Sequence, residues 1–132
     1  MEYSTLDKLG VRVSRLGFGC MRFPLTAEGK IDEPRAAAML DTAYKAGVTY
    51  YDTAYFYHQH TGEAFLGRAM KRYPRDTFYL ATKMPMSIVE SLDHAKEIFE
   101  GQLAALQTDY VDFYLLHGVN GERWKQAQEM GI

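Results

Sequence analysis

Short apolar runs alternate with amphipathic stretches along most of this chain. Three runs have the length and apolar content of buried strands: 48–51, 78–82 and 111–116. Before and between these runs, apolar residues recur every three or four positions, which predicts helices over 32–47, 63–73 and 87–107. A further run, 15–20, contains two glycines and predicts a short buried first strand. Strands that alternate with helices predict an α/β fold with a parallel sheet covered by helices.

The two ends of the chain add smaller elements to this pattern. Residues 2–6 and 11–14 flank a polar segment that ends in Gly10, which predicts a β-hairpin. The last segment, 121–132, has the character of one or two helical turns around Trp124 and Ala127. The order of elements is therefore a hairpin, then four strands that alternate with helices.

A polar residue follows each of the three longer apolar runs. The runs lead into Asp52, Lys83 and His117, which are separated by 31 and 34 residues. These spacings are close to the roughly 30 residues of one βα unit. Because the carboxyl ends of parallel strands meet at one rim of a (β/α) barrel, the three side chains are predicted to lie together there. Tyr57, five residues after Asp52, completes a set suited to proton transfer to a carbonyl group.

Strand alternation predicts which residues share the inner side of the sheet with these polar groups. The predicted inner residues are Val48, Tyr50 and Asp52; Tyr79, Ala81 and Lys83; and Phe113, Leu115 and His117.

Composition narrows the possible classes of protein. The chain has 132 residues, of which 47% are apolar and 24% charged, and this balance fits one ordinary globular domain. The net charge of −2 gives no reason to expect nucleic acid or an anionic membrane as a partner. Cys20 is the single cysteine, so an internal disulfide is excluded, and a reducing, cytoplasmic location is expected. No apolar stretch approaches a membrane span, and the first residues lack the pattern of a secretory signal.

At several segments the chain resembles the aldo-keto reductase superfamily. The segments that carry the resemblance are Val13–Gly19, Gly47–Tyr57, Glu63–Gly67, Ala81–Lys83 and Asp109–His117. They occur in the order and at the spacing of that family and span nearly the whole chain. The resemblance implies that residues 1–132 form the amino-terminal half of a (β/α)8 TIM barrel, with about four parallel strands behind a β-hairpin. A full barrel needs about 250 residues, so the carboxyl-terminal half is expected to lie outside this sequence.

The resemblance also implies a function and a set of site residues. It implies an NADP(H)-dependent oxidoreductase that reduces an aldehyde or ketone to an alcohol. The implied catalytic residues are Tyr57 as the acid, Lys83 as the cation that favours its phenolate, Asp52 as the partner of Lys83, and His117 as a donor to the substrate oxygen. The implied cofactor-binding residues are Gly19, Cys20, Met21 and Asp52, and the implied substrate pocket contains Met21, Phe23 and Trp124.

The loop from Tyr57 to Glu63 departs from the common family pattern, because it is about three residues longer. In this respect the chain resembles a prokaryotic branch whose full-length members carry a carboxyl-terminal ferredoxin-like iron–sulfur domain. The chain has no cysteine cluster, so no iron–sulfur cluster is expected within it. His58 and His60 lie two residues apart with no third ligand nearby, which favours a solvated loop over a metal site.

Two other interpretations stay open. Each proposed catalytic residue, taken alone, has a plain structural explanation, and potassium-channel β subunits resemble this fold while binding a partner. The chain could therefore be a non-catalytic interaction module, or a half barrel that completes itself through a second copy. The intact set of four residues favours enzyme ancestry. In the family, loops of the second half hold most of the NADP phosphates, so the 132 residues alone are expected to be inactive.

Overall fold

A hairpin precedes alternating strands and helices. In the computed structural model, which describes residues 1–132, the hairpin strands are β1 (Tyr3–Leu6) and β2 (Val11–Ser14). The remaining elements follow in this order: β3 (Phe18–Gly19), α1 (Glu33–Lys45), β4 (Tyr50–Asp52), α2 (Gly62–Met70), β5 (Tyr79–Met84), α3 (Leu92–Leu106), β6 (Phe113–Leu116) and α4 (Gly121–Met130). Single 3₁₀ turns lie at Cys20–Arg22 and Arg75–Thr77. None of the helices has the length and apolar character needed to cross a membrane.

The four later strands form one parallel sheet. Its strand order is β3-β4-β5-β6, and the hairpin forms a separate two-stranded antiparallel sheet. The register places Gly19 opposite Asp52, and Asp52 opposite Ala81. The predicted α/β fold, with four parallel strands behind a hairpin, is confirmed. All neighbouring strands in this sheet are parallel, so their carboxyl ends lie along the same edge of the sheet.

Several element ends differ from the sequence prediction. Helix α3 begins at Leu92 rather than near residue 87, because the Ser91 hydroxyl accepts a hydrogen bond from the His94 amide and caps the helix there. Helix α2 ends at Met70 rather than Tyr73, since Pro74 disfavours helical backbone at the residue before it. The first parallel strand is only two residues long, because the chain turns at Cys20.

The main core lies between the sheet and helices α1 and α2. Tyr51 and Leu80 point from the sheet into this core, and Leu40 and Leu66 pack on them from the helices. Val48 also lies in this core, which corrects its predicted inward position. Val48 does not follow the strand alternation because the regular strand begins only at Tyr50. A smaller cluster consists of Met84, Met86, Ala95 and Ala127.

The opposite, inner face of the sheet is rich in aromatic rings. The ring of Phe113 lies 5.1 Å from that of Tyr50 and 6.2 Å from that of Tyr79, measured between ring centroids. These three side chains are half-buried, and Leu115 is 40% exposed. Strands β3 and β6 each pair on one side only. The sheet therefore leaves two open edges and a partly exposed apolar face.

The hairpin is tied to the point where α1 leads into β4. The Tyr3 hydroxyl donates to the carbonyl oxygen of Gly47 at 3.1 Å, and Gly47 has a positive φ of 86°. A Cβ at Gly47 would lie 2.8 Å from that hydroxyl, so both backbone conformation and space require glycine. Ser14 and Thr49 exchange two amide-to-hydroxyl hydrogen bonds of 2.8 and 2.9 Å. The hairpin thus closes one end of the sheet.

We predict that Gly67→Ala separates helices α2 and α3. A methyl group at Gly67 would lie 2.6 Å from the backbone of Leu106, so the helices must move apart. The expected loss in the free energy of unfolding is about 1–3 kcal/mol. Gly101→Ala is the matched control: Gly101 lies in α3 with no atom near its Cβ position, so alanine should stabilise by about 0.5–1 kcal/mol. Urea denaturation measures both, and equal effects of the same sign would contradict the predicted contact.

We also predict that the 132-residue chain self-associates through its open sheet. The chain should sediment as dimers, larger oligomers or aggregates at micromolar concentration, because apolar inner positions and strand edges favour pairing. Leu115→Lys should reduce this association, since it places a charge on the exposed inner face. Leu9→Lys, in the exposed hairpin turn, is the control and should change nothing. A wild-type monomer of 15.1 kDa with cooperative unfolding would overturn the prediction.

Candidate active site

An ion pair between Lys83 and Asp52 forms the centre of the site. The two residues lie on the neighbouring strands β5 and β4, near their carboxyl ends. Lys83 Nζ donates to Asp52 Oδ1 at 2.6 Å and to the carbonyl oxygen of Thr53 at 2.7 Å. The Lys83 side chain is only 14% exposed, so these two acceptors replace most of the water around its ammonium group. The lysine is therefore held in one place at the rim of the sheet.

Tyr57 presents its hydroxyl to the same ammonium group. The distance from Lys83 Nζ to Tyr57 Oη is 3.5 Å. The backbone of Tyr57 is held on both sides, because its amide donates to Ala54 and its carbonyl accepts from Gly62, each at 3.1 Å. A Cβ at Gly62 would lie 3.0 Å from the Tyr57 carbonyl oxygen, so this close approach favours glycine. The start of α2 thus fixes the tyrosine.

A left-handed turn separates Tyr57 from α2. His58, Gln59 and His60 have positive φ values of 51°, 55° and 68°, a conformation that costs a non-glycine residue roughly 1–2 kcal/mol. The turn is held by Thr61, whose amide and hydroxyl both donate to the His58 carbonyl. This loop is therefore folded back tightly, next to the tyrosine.

His117 completes the group at the end of β6. Its ring stands perpendicular to that of Tyr57, with centroids 6.0 Å apart, and its amide donates to the Met84 carbonyl at 2.8 Å. Burial lowers the pKa of His117 below the usual 6.5, and the Lys83 ammonium lowers it further, while Asp52 acts in the opposite sense. The buried Nδ1 atom has no hydrogen-bond partner within the chain. The lowered pKa favours the neutral imidazole, which carries one N–H group.

Behind Lys83 lies a buried polar network that the sequence analysis missed. Glu63 Oε1 accepts from Thr82 Oγ1 at 2.5 Å and from Gln102 Nε2 at 2.7 Å. Burial raises the pKa of Glu63, although the two hydrogen bonds act against this. A signal was present in the sequence, since Thr82 and Gln102 are polar residues at positions that the patterns of β5 and α3 predict to be buried.

The predicted cofactor-binding residues lie beside this group. Gly19 stands opposite Asp52 in the sheet, and the space around its Cβ position is open. Cys20 is fully buried, backbone included, so it presents no surface to a ligand in this chain, contrary to its predicted role in cofactor binding. Burial also raises the pKa of the Cys20 thiol well above its usual range, with Asp52 adding to the effect. Met21 is 47% exposed.

The predicted substrate pocket is only partly assembled. Phe23 is buried in the main core, with its ring 5.0 Å from that of Phe65 and 6.2 Å from that of Phe18. This placement corrects its predicted role, because a ring packed on both sides in the core cannot contact a substrate. Trp124 stands half-exposed on α4. Of the three predicted pocket residues, Met21 and Trp124 are therefore exposed and Phe23 is not.

His58 is a structural residue, which corrects the prediction of a solvated side chain. Its ring stacks on Phe23 at 5.5 Å, and its Nε2 lies 3.3 Å from the Phe23 amide and 3.2 Å from the Cys20 carbonyl. His60 is exposed and packs edge-on against Tyr55. No group of three or more His, Cys, Asp or Glu side chains is placed to hold a metal ion.

A cavity of about 500 Å³ opens elsewhere, at the amino-terminal end of the sheet. It lies between the ends of α2 and α3, and its lining includes Leu66, Met70, Phe78, Leu106 and Tyr110. None of the four residues at the rim contributes to it. The candidate active site is therefore the open rim and not this cavity.

Comparison with known proteins identifies the family. Residues 15–124 match the Aldo/keto reductase family, and the chain belongs to it. Aldo-keto reductase YhdN of Bacillus subtilis is 34% identical over 125 residues, which cover 89% of this chain. The structure of the aldo-keto reductase from Klebsiella pneumoniae in complex with NADPH superimposes with a TM-score of 0.75 at 26% identity, over 98% of this chain.

One relative carries a different description. A rice protein described as a probable voltage-gated potassium channel subunit beta is 31% identical over 125 residues, which cover 89% of this chain. This chain spans 38% of the length of YhdN, 37% of the rice protein and 47% of the Klebsiella chain. It therefore corresponds to less than half the length of these relatives.

We predict that His117 titrates below pH 6.5, because burial and Lys83 both disfavour its charged form. Lys83→Met should raise the pKa of His117, since it removes a neighbouring cation. Lys96→Met, at an exposed ion pair in α3, is the control and should leave His117 unchanged. NMR of the imidazole Cε1–H signal against pH measures each value.

The same shift has a consequence for stability. Between the lowered pKa and the usual value, the unfolded chain binds more protons than the folded one at this residue, so His117 makes the free energy of unfolding fall as pH decreases. A wild-type His117 pKa of 6.5 or higher would contradict both the predicted titration and the predicted dependence of stability on pH.

Proposed function

We propose that this chain carries the proton-transfer half of an NADP(H)-dependent carbonyl reductase. The observation that carries the proposal is the contact of one lysine with both a carboxylate and a phenol. Lys83 lies 2.6 Å from Asp52 and 3.5 Å from Tyr57, with the His117 ring beside the phenol. Membership of the Aldo/keto reductase family supports an oxidoreductase function. The reaction proposed is the reduction of an aldehyde or ketone to an alcohol.

In the proposed mechanism, Tyr57 donates the proton that the carbonyl oxygen gains. A free phenol is a weak acid at neutral pH, and a nearby cation favours its ionised form. Lys83 supplies this cation, and its charge compensates the phenolate that remains after transfer. Asp52 and the Thr53 carbonyl keep the ammonium group in place. In this proposal Tyr57 donates the proton, and Lys83 and Asp52 provide the charges that support the transfer.

His117 orients the substrate in this proposal. The lowered pKa of His117 favours its neutral ring, which would donate one N–H group to the substrate oxygen and leave Tyr57 as the acid. Hydrogen bonds from His117 and Tyr57 would converge on the carbonyl oxygen, where negative charge develops during reduction. The half-exposed Met21 and Trp124 are the candidates for contact with the rest of the substrate.

The site fits a nicotinamide cofactor on its β3 side. Gly19 leaves open space opposite Asp52, and the exposed Met21 continues this surface. These residues would hold the nicotinamide end of NADP(H). When bound, NADPH supplies the hydride, which no amino-acid side chain can provide. The NADPH complex of the Klebsiella relative supports this choice of cofactor.

A non-catalytic interaction module is the second candidate. Similarity to a protein described as a potassium channel β subunit favours it, since fold alone does not determine function. The two candidates differ in one measurable property, the turnover of a carbonyl substrate. Binding of NADPH without turnover would favour the module.

We predict that Tyr57→Phe abolishes carbonyl reduction while leaving NADPH affinity nearly unchanged, because the phenol acts only on the substrate oxygen. The loss should be about 100-fold or more. Since the relatives are more than twice as long, the assay uses a chimera in which residues 1–132 are joined to the carboxyl-terminal part of the Klebsiella enzyme. The 132 residues alone should show little or no turnover.

Tyr55→Phe is the matched control for this experiment. Tyr55 lies two residues earlier, packs its ring on Phe56 and His60, and points no hydroxyl at Lys83. Its variant should keep the wild-type rate. If Tyr57→Phe retained more than about a tenth of the rate, another group would be the acid. A chimera that binds NADPH and reduces no aldehyde would favour the interaction module.

A further inference from the structure

Glu63 is a buried carboxyl group that the proposed mechanism does not use. It is 5% exposed, at the start of α2, and faces the outer side of β5. A carboxyl group in such a place costs free energy unless its oxygens are hydrogen-bonded. An apolar side chain would fill this position between helix and sheet without that cost. The carboxyl group therefore needs a reason beyond packing.

Its hydrogen bonds lead directly to Lys83. Glu63 Oε1 accepts from Thr82 Oγ1 and from Gln102 Nε2, and the same Gln102 Nε2 donates to the Lys83 carbonyl oxygen at 3.1 Å. Tyr114 completes the network, because its hydroxyl donates to Gln102 Oε1 at 2.6 Å. The network joins α2, β5, α3 and β6. Four elements thus meet at the one strand segment that carries the lysine.

The geometry of β5 shows what this network fixes. Successive side chains of a strand point to opposite faces, so Thr82 faces the helices while Lys83 faces the rim. Glu63 holds Thr82 by its hydroxyl, and Gln102 holds the Lys83 carbonyl from the same side. The position and rotation of the strand at Lys83 are therefore set from behind by directional hydrogen bonds.

We propose that Glu63, acting through Thr82 and Gln102, is a positioning residue for Lys83. The importance of this position for catalysis rests on the proposed function. Lys83 Nζ has to reach Asp52, the Thr53 carbonyl and Tyr57 together, and small displacements in such a site have large effects on rate. Apolar packing alone resists rotation of a strand less than directional bonds do.

The test observes the Lys83 ammonium group directly. Its protons are held by Asp52 and Thr53, so ¹⁵N-edited NMR of the chimera, in which the open sheet is covered by the carboxyl-terminal part of the Klebsiella enzyme, should show a slowly exchanging Nζ signal. Glu63→Ala and Gln102→Leu should accelerate exchange by about tenfold or more, or abolish the signal. Glu63→Gln keeps an oxygen that accepts both bonds, so this variant should retain the wild-type signal.

Leu40→Ala is the control for general destabilisation. Leu40 is buried in the main core on α1 and makes no hydrogen bond with the network, so its loss should lower the melting temperature without changing the Lys83 signal. If Glu63→Ala lowers the melting temperature equally and leaves the signal unchanged, Glu63 is only a packing residue and the proposal is wrong. Should Glu63→Ala fail to fold, Gln102→Leu and Thr82→Val decide the question in the same way.

The readout is independent of turnover. A wild-type chimera without a Lys83 signal would overturn the proposal, because the lysine would then not be held. The failure of the Tyr57→Phe experiment would instead remove the proposed acid and leave the NMR result intact. The two failures are therefore distinguishable.

Discussion

The ion pair between Lys83 and Asp52 is the interaction on which the candidate site depends. A mostly buried ammonium group is costly unless it is paired and hydrogen-bonded, and here a carboxylate and a backbone carbonyl meet that need. Both acceptors lie at the end of β4, and the donor lies on β5. The pair therefore exists only if the two strands are parallel and in the observed register. This requirement links the chemistry of the rim to the topology of the sheet.

The two faces of the sheet stabilise that register in different ways. On the helix side, Tyr51 and Leu80 pack in an apolar core, which resists separation of sheet and helices without fixing direction. The network around Glu63 adds directional bonds at the lysine itself. On the inner side, the rings of Tyr50 and Phe113 contact each other and remain half-exposed. The site thus sits where a well-packed face and an open face meet.

The loop after Tyr57 shows how conformational strain supports the site. Three consecutive residues in left-handed conformation are unfavourable, and such strain persists only where surrounding contacts hold it. The Thr61 hydroxyl donates to the His58 carbonyl, and the His58 ring packs against Phe23 and contacts the Cys20 carbonyl of the neighbouring 3₁₀ turn. These contacts join the tyrosine loop to the surface beside Gly19. The loop that carries Tyr57, the proposed acid, is therefore in direct contact with the proposed cofactor-binding surface.

The amino-acid sequence by itself determined the order of the elements and the chemical groups at the strand ends. Hydrophobic periodicity and the caps are local properties, so the hairpin, the four parallel strands and the alternating helices could be predicted, with errors at ends such as Ser91. The spacing of Asp52, Lys83 and His117 predicted that these residues share a rim. Contacts between residues distant in sequence cannot be predicted from a local sequence pattern. Only the tertiary structure placed Phe23 in the core, gave His58 a packing role and brought Glu63 and Gln102 behind Lys83, because burial and hydrogen-bond partners depend on which elements pack together.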